Sequence, residues 1–208
     1  MKKNIKPAHA VLLELLEKVR NKEEIKEIEL SFKRDVAASF KLLRYINSAG
    51  FSLSCEIQSI RHAVEILGYQ QLYRWVTLLL VTASEGNTSP ALIKKAVIRG
   101  RLAELLGKEM LGPADCDNLF IVGVFSLLDE ILEVPMDQVL DTIRLPEPIV
   151  DALLHRQGLY GPFLALAEAC EQGDEDEIEN LACSLQLEVD KVSQDYLSAQ
   201  AWAGMLGL

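Results

Sequence analysis

Apolar residues in this 208-residue chain recur at helical spacing almost from end to end, and no other feature constrains the fold as strongly. Alternating Val/Ile/Thr runs bounded by turns, the mark of half-buried strands, are scarce. The predicted fold class is therefore all-α, a compact irregular multi-helix bundle. No repeat of fixed period emerges when the segments are overlaid, which argues against a helical solenoid. Half of the residues are hydrophobic, ample for a packed core in one sizeable domain or two small ones.

Turn and cap residues divide the pattern. Leu12, Leu15, Leu16 and Val19 stripe a first helix after Pro7, and a short helix covers roughly Glu23 to Leu30. A third helix places Val36, Phe40, Leu43 and Ile46 on one face and ends near Asn47-Ser48-Ala49-Gly50, where Asn and Gly tolerate the left-handed conformation that closes helices. Ser59 caps a short helix that stops at Gly68, and Gln70 to Thr82 forms the next. The segment SEGNTSP is the clearest break, with Ser89 as a cap and Pro90 at the first helical position. A long helix then runs to about Met110. After the turn LGPADCD comes FIVGVFSLLDEIL, read as one helix from Phe120 to Leu132. At about 100° per residue its broad face carries Phe120, Val124, Leu127, Leu128 and Ile131, leaving Gly123, Ser126, Asp129 and Glu130 on a narrower, less buried arc. Pro135, Pro146 and Pro148 chop the following stretch into short helices. Asp174 with Glu177 resembles a capping box, so the acidic cluster there is most simply a solvated turn rather than a calcium loop.

Composition excludes several function classes. With 21 basic against 31 acidic residues the formal net charge is −10, so the overall field repels a nucleic-acid backbone. The densest basic stretch, Lys94 to Arg101, has the spacing of a solvated helix face. Charges interrupt the apolar N-terminal segment at Glu14, Glu17 and Lys18, and no run of about 18 apolar residues occurs, so no membrane span is expected. Cys55, Cys116, Cys170 and Cys183 are scattered without a CxxC pair; reduced, mostly buried thiols in a cytoplasmic protein are the expectation.

Residues able to carry chemistry are few. His9 lies in the charged leader, His62 in the first turn after Ser59, and His155 follows Asp151 by four residues, which makes either a local contact or a ligand pair. There is no GxSxG elbow and no glycine-rich phosphate loop. Asp129 and Glu130 are adjacent and diverge from a helix, so they do not build a two-carboxylate pair by themselves. Tyr69, Tyr73 and Trp75 offer a stacking platform, although their spacing favours core packing.

The run LLRYINSAGFSLSCEIQSIRHAVEILGYQQLYRWVTLLL resembles the HDOD domain, a non-catalytic relative of the HD-domain metal phosphohydrolases. The resemblance rests on Leu42-Leu43-Arg44, Asn47-Ser48-Ala49, Ile57, Ser59-Ile60, Ala63-Val64, Leu67-Gly68 and Arg74-Trp75, and more loosely on FSLLDEILEVPMDQVL and Gln200 to Ala203. It implies one HD-like helical domain over residues 1–208, with an N-terminal part to about 84 and an HD-like part from about 90. The motif positions Leu43, Arg44, Asn47, Ser48, Ile60, Leu67, Gly68 and Trp75 are read as structural. The later segments are most similar to the half that follows an EAL-type domain in two-domain bacterial proteins, which implies a fragment of a longer protein.

In metal-dependent HD relatives the corresponding helix carries a motif like GLLHDIG, whose adjacent His and Asp bind metal. Over it, Gly123 to Asp129 keeps the glycine but sets Ser126 and Leu127 at the paired positions, and the upstream KKAVIRGRLAELL has no histidine. The resemblance thus implies no catalytic, cofactor-binding or metal-binding residue. It implies a bacterial regulatory module linked to cyclic-di-GMP signalling, whose partner is another protein or an attached EAL-type domain, with neither nucleic acid nor membrane bound. The enzyme alternative is a divergent phosphohydrolase acting on a nucleotide with Asp129, Asp151 and His155 around a metal. A homodimer is a third reading, one that would need an apolar patch.

Overall fold

A computed structural model describes residues 7–33, 36–47, 57–82, 89–142 and 145–206. Every regular element among them is a helix: α1 (Pro7–Arg20), α2 (Ile25–Lys33), α3 (Val36–Ile46), α4 (Ile60–Thr82), α5 (Pro90–Gly107), α6 (Pro113–Phe125), α7 (Leu128–Leu132), α8 (Met136–Thr142), α9 (Glu147–His155), α10 (Gly161–Gln172), α11 (Glu175–Ser184) and α12 (Val189–Met205).

The starts follow from the caps. Ser59 Oγ accepts from the His62 amide at 3.1 Å, Ser89 Oγ from Ala91 at 3.2 Å with Pro90 next in line, and Asp174 Oδ1 from Glu177 at 3.1 Å. Each satisfies an amide that has no partner inside the helix. Gly68 breaks α4 as its sequence position predicts. Its φ of 76° and ψ of 170° lie outside helical space, yet the chain resumes as helix at once, so two short helices share one axis name.

α5 is the central element. It packs on α6 over its whole length, α12 lies along it, and α10 covers both. Backbones of α5 and α6 approach so closely that a Cβ on Gly123 would lie 2.5 Å from Gly100 Cα. On the other side of the molecule α1 and α3 pack against α4, with α2 tucked between. Trp75, Phe32, Phe120 and Phe125 are the largest side chains buried in the shared core.

Some expectations need correction. The second helix runs from Ile25 to Lys33, later than the sequence spacing implied, and α5 ends at Gly107, before Met110. In α3 the inward face is Leu42 and Ile46, whereas Phe40 is 68% exposed, because the helix is rotated toward α4 by about one position. His9 is buried rather than part of a charged leader. The acidic end of FIVGVFSLLDEIL belongs to another helix: α6 stops at Phe125, Ser126 closes it, and Leu127 leads into α7. Gly123 and Ser126, expected on the less buried arc, are both buried, since α5 packs directly against them.

Candidate functional site

The break at Ser126 sits beside a buried charge. Ser126 Oγ donates to the Gly123 carbonyl at 2.7 Å, a back-bond that competes with helix continuation, and accepts from Arg99 Nη1 at 2.8 Å. Arg99, in the middle of α5, is only 5% exposed. Within Lys94 to Arg101 the two lysines are exposed, as a solvated basic face would have them, but Arg99 is not part of that face. Ala96 and Ala103, one turn on either side of Arg99, are fully buried, and that small-residue row was the one available sign that the arginine points inward.

Two carboxylates from α10 hold this guanidinium. Glu171 takes it side-on, with Nε to Oε1 at 2.8 Å and Nη2 to Oε2 at 2.6 Å, and Glu168 Oε1 accepts from Nη1 at 3.0 Å. Glu168 is also gripped by Arg156 from the end of α9, at 3.0 and 2.8 Å, and Lys95 lies 3.2 Å from Glu171. Burial works against the charge on Arg99, but its hydrogen bonding to Glu171 and the negative charges of Glu171, Glu168 and Glu130 outweigh it, so its pKa is raised. Glu168 and Glu171 are three residues apart and so share one helix face. Sequence reading missed this network because its members come from four separate helices, α5, α6, α9 and α10.

These residues do not fit a divalent metal. A permanently charged guanidinium contacts Ser126, Leu127 offers no donor atom, and both nearby glutamates are already engaged by arginines. Asp129, Asp151 and His155 are not brought together as a ligand set: among the described residues no group of three or more His, Cys, Asp and Glu side chains could hold a metal ion. His155 is exposed at the end of α9, and Asp129 stands in the first turn of α7, where its carbonyl accepts from Val134.

A second buried arginine lies across the α5–α6 pair. Arg74 of α4 donates to both oxygens of Glu104 on α5, at 2.8 and 2.6 Å, and stands 3.7 Å from Asp117 on α6. Its guanidinium lies 3.9 Å from the Phe120 ring centre and 5.7 Å from that of Trp202 on α12. Arg101 adds a 2.8 Å contact to Glu104. Burial raises the pKa of Glu104, but bonding to Arg74 and the charges of Arg74 and Arg101 outweigh it and leave it lowered. Asp117 moves the opposite way, raised by burial against the pull of Arg74.

The motif positions named from the resemblance lie on and around α3 and α4. Ile60 and Trp75 are buried, Leu43, Leu67 and Gly68 are half-buried, and Arg44 is exposed. Asn47 does more than end α3: its side-chain amide donates to the Ile57 carbonyl and accepts from the Ile57 amide, both at 2.7 Å, clasping two points ten residues apart. Ser48 lies outside the described residues. Tyr69 and Tyr73 pack partly buried beside Trp75 and form no exposed platform.

The family model of the HDOD domain matches residues 5–143. The chain belongs to the HDOD domain family. Asn47, Gly68 and the Arg74–Trp75 pair thus sit inside the matched HDOD region, while Glu168 and Glu171 lie beyond it. The HDOD chain is 27% identical over 200 residues, 96% of its length, to the cyclic di-GMP phosphodiesterase CdgJ of Vibrio cholerae. It is 29% identical over 181 residues, 86% of its length, to the uncharacterized protein YuxH of Bacillus subtilis. These alignments cover 46% and 44% of the two relatives, so the HDOD chain spans less than half of either. Two solved structures from Shewanella amazonensis SB2B share its fold. One, provisionally named a phosphohydrolase, aligns with a TM-score of 0.66 at 15% identity, covering 94% of this chain and 93% of that one. The other, provisionally named a metal-dependent phosphohydrolase, gives 0.63 at 16% identity, covering 98% and 92%. Among the described residues no helix is long and apolar enough to cross a membrane.

Proposed function

We propose that this HDOD chain is a non-catalytic regulatory module of cyclic-di-GMP signalling, working through contacts with a protein partner or an attached EAL-type domain, and that Ser126 and Leu127 mark the place of a lost metal pair. The observation that carries this reading is the Arg99 guanidinium, held by Glu171 and Glu168 and hydrogen-bonded to Ser126 at 2.8 Å. A fixed positive charge at that point repels a divalent cation and already satisfies the nearby carboxylates. The signalling context is supported by the printed name of the Vibrio cholerae relative.

Metal analysis of the purified chain, followed by turnover assays on a panel of nucleotides and cyclic dinucleotides, tests the catalytic half. Substoichiometric metal and no turnover are expected. Stoichiometric bound metal with turnover that is lost on substituting Asp129, Asp151 or His155 would establish the divergent phosphohydrolase instead. For the regulatory half, fusion to an EAL-type phosphodiesterase domain should change the activity of that domain. Unchanged activity, together with no specific partner retained from bacterial lysate, would overturn it.

A further inference from the structure

We propose that the cavity where α1, α4, α6 and α9 meet binds a fragment-sized organic anion, a carboxylate or phosphate borne on a single ring or short apolar chain. The inference is independent of the regulatory reading and would stand if the chain proved catalytic.

The cavity has a volume of about 170 Å³, below the roughly 300–1,000 Å³ that accommodates drug-sized ligands, which limits the occupant to a fragment. Val19 and Ile149 contribute apolar wall, and Arg20 and Lys22 are the charged residues of its lining; no acid lines it among the described residues. Cations at the end of α1 complement the partial negative charge of the helix terminus. Lys18, in the same last turn, is engaged by Glu14 at 3.1 Å and Ser31 at 3.0 Å. Neither the Arg20 nor the Lys22 side chain has an ion-pair or hydrogen-bond partner among the described residues. Lys22 has a φ of 54°, the left-handed turn that brings its side chain to the cavity wall.

Tyr73 supplies the second, independent sign. It lines the cavity, and its hydroxyl is buried with no hydrogen-bond partner among the described residues, an arrangement that costs stability unless a polar group meets it. Burial pushes the Tyr73 hydroxyl pKa up, and the charge of Arg20 pulls the other way, so the hydroxyl stays a neutral donor within reach of that guanidinium's field. The site is also built to hold its shape. Tyr69 donates to the Glu23 carbonyl at 2.9 Å and so pins the α1–α2 turn on α4, while Asn118 is oriented by its 2.9 Å bond to Tyr160. An anion in this cavity would bridge the N-terminal helices to α6 and α9, and binding it would stabilise that junction.

The probes are benzoate, phenyl phosphate, neutral benzyl alcohol and inorganic phosphate, titrated into the full chain by calorimetry, with amide chemical shifts followed in parallel. At least one aryl anion should bind about tenfold or more tightly than benzyl alcohol, as two charge-assisted hydrogen bonds require. The double variant Arg20→Gln/Lys22→Gln should weaken that binding about tenfold and Tyr73→Phe about threefold, while Arg61→Gln leaves it unchanged. Circular dichroism and the unliganded Tm check that each variant folds, and Lys22→Gln alone, at an exposed position, serves if the double variant does not. Equal binding of benzyl alcohol, retention of aryl-anion affinity in the charge variants, inorganic phosphate as tight as phenyl phosphate, or no saturable binding would each overturn the proposal.

Discussion

Arg74 and Arg99 lie on opposite sides of the α5–α6 crossing, both nearly buried and both held by two hydrogen bonds to one glutamate, Arg99 side-on through Nε and Nη2 and Arg74 end-on through Nη1 and Nη2, yet their surroundings differ in kind. Around Arg99 the neighbours are ionic: Glu171, Glu168, Arg156 and Lys95, with Ser126 accepting one further hydrogen bond. Around Arg74 the guanidinium lies 3.9 Å from the Phe120 ring centre with Trp202 at 5.7 Å, and a second arginine shares its glutamate. One site ties α10 and the end of α6 to α5. The other ties α4 to α5 and α6 and reaches α12. The comparison teaches that burial of an arginine does not specify its role; the partners left behind on its removal do.

That difference can be broken by substitution. Arg99→Met should cost the most, about 3–5 kcal/mol in urea unfolding, because Glu171, only 7% exposed, is left with nothing but the largely exposed Lys95 to offset its charge. Arg74→Met should cost less, about 2–3 kcal/mol, since Glu104 retains Arg101 and the aromatic walls can close on the methionine. If the order is reversed, the stacked site rather than the ionic one is the stronger fastening. Ser126→Ala removes one hydrogen bond to a charged donor and should cost about 1.5–3 kcal/mol by the same measurement, and nothing if Arg99 simply turns to Glu168.

Acid should separate the sites further. Glu104 has a folded pKa below its ordinary 4.5, so its contribution is present above that value and is lost as pH falls through the folded pKa. Asp117, with a folded pKa above 3.8, works the other way: native protein holds its proton more tightly, and stability from this group falls as pH rises through that interval. Unfolding measured from pH 6 to 3 should show a flatter acid limb for Glu104→Gln and a steeper one for Asp117→Asn. Parallel curves would mean that neither carboxylate has a folded pKa displaced from its ordinary value. The smallest effect is kinetic. The Cys170 thiol, beside Glu171, is pushed up to about 11 by burial and that neighbouring charge, and Cys116 is raised by burial near Glu104. Iodoacetamide at pH 8 should modify exposed Cys183 first among the described cysteines, with Cys170 and Cys116 following more slowly.

Much of the helix layout was legible in the chain. Pro7, Ser59, Ser89-Pro90 and Asp174 start helices where their chemistry predicts, and Gly68 breaks α4 because only glycine adopts its backbone angles at little cost. The end of α6 was not legible, because an apolar run continues through Phe125 to Leu128 and periodicity alone gives no reason to stop. What stops it is the Ser126 hydroxyl turning back to Gly123 while its oxygen meets a guanidinium from another helix. The Asn47 clasp was half legible: the helix end could be read, the partner at Ile57 could not.

The sequence by itself determined that the chain is helical, where most helices begin, and which residues carry the family pattern. Only the tertiary structure decided that Arg99 is buried, that Glu168 and Glu171 hold it, and that Arg74 ties α4 to α5. The reason is range. Capping and periodicity act within a few residues along the chain, whereas Arg99 and Glu171 are 72 positions apart and Arg74 and Glu104 are 30 apart. A charge in a helical pattern reads as solvent-facing until packing supplies an opposite charge opposite it.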